Sequence, residues 1–376
     1  MPVETVAAVL RAFGEPQRIE RVELRDPGPK EVLVRVLAAG ICHSDVGQAD
    51  GEWAFALPVV LGHEGAGVVE AVGPEVTALS IGQTVVLNLA PGCNICEHCS
   101  AGRPILCQAA LDAMEEGRLT TGPSPITGDD GPIATYSLLG CYAKHAVVAE
   151  ASAIPLPNGV SAELGALIGC AVITGFGAVT ETIDVKAGSR GAVIGAGGVG
   201  VNAIQGARLQ GARVTAFDVS PERLEHARRF GATEAVDVRD EDLVADLRTR
   251  ARRNGFDWTI AAVGNEAAVR LGCDLTRPGG TTVVVGLLPE QAPVPIDMLD
   301  IVTFEKRIVG SAYGSLSPRV LMPRIASLYL EGQLQLETLV GERLPLEDIN
   351  EAFAFSRAGR GLRPVLAMAD QERTFP

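Results

Sequence analysis

The sequence predicts an α/β chain of two units: a mostly β unit, and a doubly wound parallel sheet covered by helices. Three observations predict this. The chain has 376 residues, more than a usual single domain. Up to about residue 170 it reads as short apolar runs broken by Gly and Pro, with little helical periodicity. Beyond Cys170, strand-length apolar runs alternate with helical stretches, the pattern of a parallel sheet wound on both faces. The expected boundaries are 1–170 with 317–376 for the first unit and 171–316 for the second.

In chain order, "EVLVRVLAAG" (31–40), "GAGVVEAVG" (65–73) and "QTVVLNL" (83–89) have strand length and composition. Residues 109–135 are rich in Gly, Pro, Asp and Thr and read as a long surface loop. "GAVIGAGGVG" (191–200) is a strand running into a glycine turn, "VNAIQGARLQGA" a helix, and "RVTAFD" (213–218) the next strand. Ser220 and Pro221 form an N-cap and first-turn pair for the helix that stops at Gly231. "DWTIAAVG" (257–264) and "TTVVVGL" (281–287) supply further strands. Two amphipathic helices and a closing strand, "RPVLAM", follow residue 317.

Composition narrows the function. With 32 Lys and Arg against 46 Asp and Glu, the net charge of −14 disfavours nucleic acid or an anionic membrane as partner. The N-terminus lacks the basic start, apolar run and cleavage site of a signal peptide. No stretch approaches the roughly 18 uninterrupted apolar residues that span a bilayer. A cytoplasmic protein is expected, which argues against structural disulfides.

Chemistry concentrates in three places. Gly195, Gly197, Gly198, Val199 and Gly200 belong to a G-x-G-x-x-G turn between strand and helix, and Asp218 ends the next strand. Such glycines let backbone approach a pyrophosphate, and the acid accepts from a ribose hydroxyl. A carboxylate there repels a 2′-phosphate, so NAD(H) is expected over NADP(H). Arg223, nearby, either softens that preference or holds adenine or ribose. Cys93, Cys96, Cys99 and Cys107, within "PGCNICEHCSAGRPILC" (residues 91–107), have the spacing of a closed four-thiolate zinc site, although closely spaced cysteines also hold iron–sulfur clusters. His98 in that lobe reads as an exposed loop residue. Cys42, His63 with its neighbour Glu64, and Cys170 are dispersed, and two thiols with one imidazole would leave a zinc position open.

Together "CHSD" (42–45), "GHEGAGVVEAVG" (62–73), the cysteine lobe, Cys170, "GAGGVG" (195–200) and Asp218 resemble the zinc-dependent medium-chain alcohol dehydrogenases over essentially the whole chain. The length of the 109–140 segment is similar to that of the classical dimeric and glutathione-dependent formaldehyde branches. The resemblance implies a GroES-like catalytic domain, a Rossmann-type cofactor domain, NAD(H) and two zinc ions per subunit. It implies structural zinc in the lobe (about 91–108) and catalytic zinc on Cys42, His63 and Cys170, with Glu64 ligating transiently. It further implies that Ser44 bonds the substrate oxygen and that Asp45 orients the histidine, although Asp45 also suits a helix cap. His43 and Arg363 match pyrophosphate contacts, with a surface charge as the alternative for Arg363, and Thr174 lies on the nicotinamide side. Leu89 replaces a common pocket aromatic, Tyr142 matches a pocket wall and Trp53 an entrance residue; the last two also read as packing. Gly47 stands where the family's proton relay often ends in histidine. No convincing arginine aligns for the carboxylate of a thiol adduct.

The activity implied is reversible hydride transfer between NAD and a primary alcohol, bulky or aromatic, and its aldehyde, by a homodimer. S-hydroxymethyl thiol adducts, unsaturated or iminium substrates, and a non-catalytic zinc- and NAD-binding role are the alternatives.

Overall fold

The structure, a computed structural model, describes residues 2–368. Two compact units emerge: residues up to Cys170 with Ser317–Leu330 and the chain from Leu336, and Ala171–Leu316 with Glu331–Gln335.

In the first unit, strands Val3–Leu10, Arg18–Leu24, Ile126–Gly128, Gly131–Thr135 and Val59–Val60 close a small barrel. A seven-stranded sheet lies with it, in which Glu31–Gly40 pairs with Glu64–Val72, His145–Ala149 and Arg363–Ala367. The alternating apolar residues of these strands face one continuous core that includes Val32, Val34, Val69 and Leu366. Register positions the site. Gly40 lies opposite both Glu64 and Val365. The chain leaving the first strand at Ile41 and Cys42, the chain entering the second at His63, and Arg363 therefore meet at one end of the sheet. A Cβ on Gly40 would stand 2.1 Å from a Glu64 carboxylate oxygen, so only glycine leaves that carboxylate its place.

Residues 109–135 are not the surface loop that their composition suggests. They hold the helix Gln108–Glu115 and the hairpin Ile126–Gly128 and Gly131–Thr135. Strands of three and five residues are too short to show alternation. Single buried anchors, Leu119, Ile126 and Ile133, set among Gly, Pro and Thr, tie the segment to the core.

In the second unit all strand pairs are parallel. The order is Glu234–Asp237, Arg213–Asp218, Arg190–Ile194, Phe256–Ala261, Thr276–Val284 and Arg307–Gly310. Numbered along the chain this is 3-2-1-4-5-6, the doubly wound order whose ligand crevice lies beyond the carboxyl ends of the first and fourth strands. Apolar clusters cover both faces of the sheet. Contrary to the expectation that no stretch approaches membrane-spanning length, one helical stretch among the described residues, Ala162–Thr180, is long and apolar enough to cross a membrane; 83% of its apolar window is buried in the protein.

Candidate active site

Cys42 is the N-cap of the helix His43–Asp50, which places its thiol beside the free amides of the first turn. His63 immediately precedes the strand Glu64–Val72. Cys170 sits in the middle of a π-helical turn, Ile168–Val172, a local widening of the kind that recurs at functional sites. The ligating atoms of Cys42, His63, Glu64 and Cys170 all lie within 4.8 Å of one another, and all four residues are buried.

The surroundings of this cluster are polar. Ser44 Oγ donates to Cys42 Sγ at 3.1 Å and lies 3.4 Å from His63 Nε2. On the far side of the imidazole, His63 Nδ1 is 3.0 Å from Asp45 Oδ1. Asp45 is fully buried and also accepts from the amides of Gly62 (3.1 Å) and Cys42 (3.3 Å). That hydrogen bond points Nε2 at the thiols, as a ligating imidazole requires. Burial opposes a charge on His63, but the Asp45 carboxylate and Cys42 hold its pKa well above the usual histidine value. A hydrogen bond between the two thiols pulls Cys42 down and pushes Cys170 up. Burial pushes the Glu64 carboxyl up to about 8, although the Arg363 guanidinium opposes it. Both carboxylate oxygens of Glu64 are buried without a hydrogen-bond partner, the nearer lying 3.6 Å from Arg363 Nη2. Two soft thiols, one correctly presented imidazole and an unbonded carboxylate fit zinc, with a position left for an exchangeable ligand.

The cysteine lobe forms a second cluster, in which the sulfurs of Cys93, Cys96, Cys99 and Cys107 also lie within 4.8 Å of one another. Backbone amides converge on them: Cys93 N–H on Cys107 Sγ at 3.2 Å and Cys96 N–H on Cys93 Sγ at 3.3 Å. The amides of Ile95 and Cys96 pull the Cys93 thiol down to about 6, whereas burial pushes Cys99 up to about 12. The apolar core of the lobe is small, Cys107 with Ala110, Ala113 and Leu138. Four thiols holding so small a core suit a closed, structural zinc. His98 is not the exposed loop residue expected: it is half-buried in the short helix Glu97–Ser100, 3.8 Å from Glu97 and outside this donor set.

In the second unit, Gly195 has φ +95° and donates to Phe217 O at 2.7 Å, which turns the chain out of its strand. A Cβ on Gly200 would stand 1.8 Å from Gly195 O, so glycine lets the helix close on the turn. Gly197 caps the helix Gly198–Leu209, and a Cβ there would meet nothing within 4 Å. The glycine thus keeps open the approach to the free amides of Gly198, Val199 and Gly200, as a dinucleotide pyrophosphate needs. Asp218 Oδ2 accepts from Ala196 N–H at 2.7 Å and Oδ1 from Ser220 N–H at 2.9 Å, which fixes the acid beside the turn. Arg223 stands half-buried in the first turn of the next helix, Pro221–Arg229. Thr174 lies on the helix Ile173–Thr180, which packs so close that a Cβ on Gly175 would stand 2.0 Å from Val199 O.

A zinc-binding dehydrogenase profile matches residues 198–327, and an alcohol dehydrogenase GroES-like profile matches residues 28–158. An NDMA-dependent alcohol dehydrogenase of Amycolatopsis methanolica is 34% identical over 368 residues, 97% of this chain and 99% of its own. An S-(hydroxymethyl)glutathione dehydrogenase of Escherichia coli is 33% identical over 368 residues, 96% of this chain and 98% of its own. The crystal structure of benzyl alcohol dehydrogenase from Acinetobacter calcoaceticus matches with a TM-score of 0.91 at 30% identity, covering 98% of this chain and all of that one. The chain belongs to the zinc-dependent medium-chain alcohol dehydrogenases.

The aromatic and basic residues around the site of this dehydrogenase are placed as follows. Tyr142 is no pocket wall: it is fully buried in the core, and its hydroxyl lies 2.9 Å from Asp45 Oδ2. Arg363 is no surface charge either; it is 6% exposed and donates to Ile41 O at 3.0 Å. Trp53 is half-buried, and its indole lies 2.8 Å from where a Cβ on Gly47 would be, so ring and Glu52 carboxylate fill the space that a histidine there would take. Tyr136, not Tyr142, stands beside the metal ligands, its ring edge-on to His63 with centroids 6.0 Å apart and to Phe55 at 5.4 Å. An aromatic between Thr135 and Ser137 in an irregular turn carries no periodic signal, and only its two left-handed successors, Ser137 and Leu138, betray how the chain bends there. Leu89 is half-buried against the core just past the strand Thr84–Leu87, and His43 is exposed at the start of its helix.

Proposed function

We propose that this chain interconverts a primary alcohol and its aldehyde with NAD(H), and that the favoured alcohols are bulky or aromatic. The observation that carries the reading is the buried Cys42, His63 and Cys170 set with the Ser44 hydroxyl against it. Zinc on these three residues supplies Lewis acidity, and NAD on the Gly195–Gly200 turn supplies the hydride acceptor.

The remaining work falls to the protein. Ser44 accepts the alcohol proton through its hydroxyl and hands on its own. Asp45 holds the imidazole tautomer. Glu64, held against Arg363 and free of other bonds, is the carboxylate available when a ligand exchanges. Asp218 receives the adenosine ribose, with Arg223 beside it, and Thr174 lies on the nicotinamide side. The lobe cysteines hold a second zinc that maintains the fold. Leu89 in place of a ring, the aromatic pair Tyr136 and Phe55 beside His63, and the benzyl alcohol dehydrogenase neighbour support that preference. A homodimer is supported by the exposed edge strand Arg307–Gly310 and by the exposed apolar residues Met298, Leu299 and Val302 before it.

The test is turnover across alcohols and aldehydes of graded size with NAD(H) and NADP(H). Faster kcat/KM for benzyl alcohol than for ethanol, with NAD preferred, is expected. Tight NADH binding with no turnover of any alcohol or aldehyde would overturn the reading. The formaldehyde-adduct alternative, supported by the Escherichia coli relative, requires that formaldehyde oxidation depend on added thiol.

A further inference from the structure

The hydroxyl of Tyr142 is spent on the metal site although the residue never reaches it. Its backbone is pinned beside the ligand strand: Tyr142 N–H donates to Leu61 O at 3.0 Å, and Cys141 N–H to Gly62 O at 3.1 Å. Gly62, at φ +95°, leaves the space that the ring fills, since a Cβ there would stand 2.6 Å from Tyr142 Cδ1. The ring also meets Phe353 edge-on, with centroids 6.0 Å apart. Locked in this way, the hydroxyl has two acceptors in reach, Asp45 Oδ2 at 2.9 Å and Gly40 O at 3.1 Å. It carries one proton, and the shorter contact to a buried carboxylate is the stronger bond.

Asp45 takes four hydrogen bonds in all, two on each oxygen. Oδ1 receives His63 and Gly62; Oδ2 receives Tyr142 and, at 3.3 Å, the Cys42 amide. Without the phenol, Oδ2 keeps only the longest of the four, in a place that water does not reach. A carboxylate so unbalanced turns or shares its other oxygen, and the acceptor that His63 Nδ1 needs moves with it.

We propose that Tyr142 is a positioning residue that acts through Asp45 to hold His63 in ligating orientation, so that the metal set by Cys42, His63 and Cys170 is retained. The inference rests on the reading of those three residues as metal ligands. It extends the support of the centre one layer further, to a side chain that sequence reasoning places in the substrate pocket.

Tyr142→Phe tests it, because the ring and its packing survive and only the hydroxyl is lost. Two readouts besides turnover apply: the rate at which a chelator removes zinc, and the visible spectrum of the cobalt-substituted enzyme. Loss of a hydrogen-bonding partner behind a ligating histidine typically costs about 10–100-fold in metal affinity. One layer further out, zinc release from this centre is expected to be several-fold to about tenfold faster. Release from the lobe should be unchanged, and the cobalt bands shifted. Asp45→Asn serves as reference and should release zinc faster still. If Asp45→Asn loses zinc rapidly while Tyr142→Phe keeps parental release and parental cobalt bands, the proposal is overturned and the ligand reading stands. If Cys170→Ala binds as much zinc as the parent, the ligand reading itself fails, and the proposal with it. Melting temperature controls for folding: a lowered midpoint with unchanged release would assign the hydroxyl to packing alone and also reject the proposal.

Discussion

Glu31 opens the strand that ends at Gly40, and replacing it with glutamine tests how that strand is anchored. Its carboxylate is 1% exposed and accepts four hydrogen bonds. Oε2 receives Arg25 Nη1 at 2.5 Å and Gly28 N–H at 2.7 Å; Oε1 receives Arg25 Nη2 at 2.9 Å and Thr121 Oγ1 at 2.5 Å. In Glu31→Gln the new amide nitrogen is best placed at Oε1, where the Thr121 hydroxyl rotates to accept from it. The variant then loses one arginine bond and the ion pair. A hydrogen bond to a charged group contributes about 1.5–3 kcal/mol. Arg25 is 35% exposed, so its freed guanidinium regains water, and the lower end, about 1.5 kcal/mol, applies. For a unit of roughly 200 residues that lowers Tm by about 3–6 °C. Burial raises the Glu31 pKa, but Arg25, Thr121 and the Gly28 amide outweigh it and the net shift is downward. A carboxyl lowered in the folded state contributes stability above its unfolded pKa and loses it as pH falls through the folded value. The parent and Glu31→Gln should therefore differ fully at pH 7 and converge toward pH 3 in urea midpoints followed by circular dichroism. Equal midpoints at pH 7, or a difference that persists undiminished at pH 3, would refute the reasoning.

Three further outcomes are expected. Cys170→Ala should lose one of two zinc ions by elemental analysis and abolish turnover with little change in Tm, whereas Cys99→Ala should chiefly lower Tm; a stable but inactive Cys99→Ala would reverse the two roles. Gly197→Val should raise the NADH Kd by tenfold or more without lowering Tm, because its side chain enters open space, while Gly200→Ala should lower Tm because its Cβ meets Gly195 O. Leu89→Phe should raise the KM for benzyl alcohol by about tenfold and spare ethanol, in line with about 1–3 kcal/mol for filling pocket volume; unchanged selectivity would remove Leu89 from the pocket.

The parts of the fold that could be read in advance were those with a period. "EVLVRVLAAG" became a strand with the expected ends, Glu31–Gly40, and "RVTAFD" likewise became Arg213–Asp218, because alternation and continuous apolar runs record burial directly. Ser220 caps its helix by accepting from Arg223 N–H, a purely local effect. The barrel hairpin within 109–135 escaped notice because two very short strands leave no pattern. At the site, cysteine and histidine carry their chemistry in their identity, so both clusters were visible as candidate ligands. Tyr136 and Tyr142 do not: either ring suits a pocket or a core, and only the turn at Ser137 and Leu138 decides which of them faces His63.

The pairing of Gly40 with Glu64 makes the sheet a ruler. A residue inserted between Cys42 and the nearest irregularity in register would turn a ligand to the opposite face. Two such irregularities interrupt the ladder, between Leu33 and Val34 and between Val36 and Ala38. Length changes upstream of them can be absorbed where the pairing is already broken, whereas Ala38–Cys42 and His63–Ala66 have no slack. The strand therefore divides into a half that tolerates insertion and a half that does not, and a library of single-residue insertions along it should show that border as a step in zinc content.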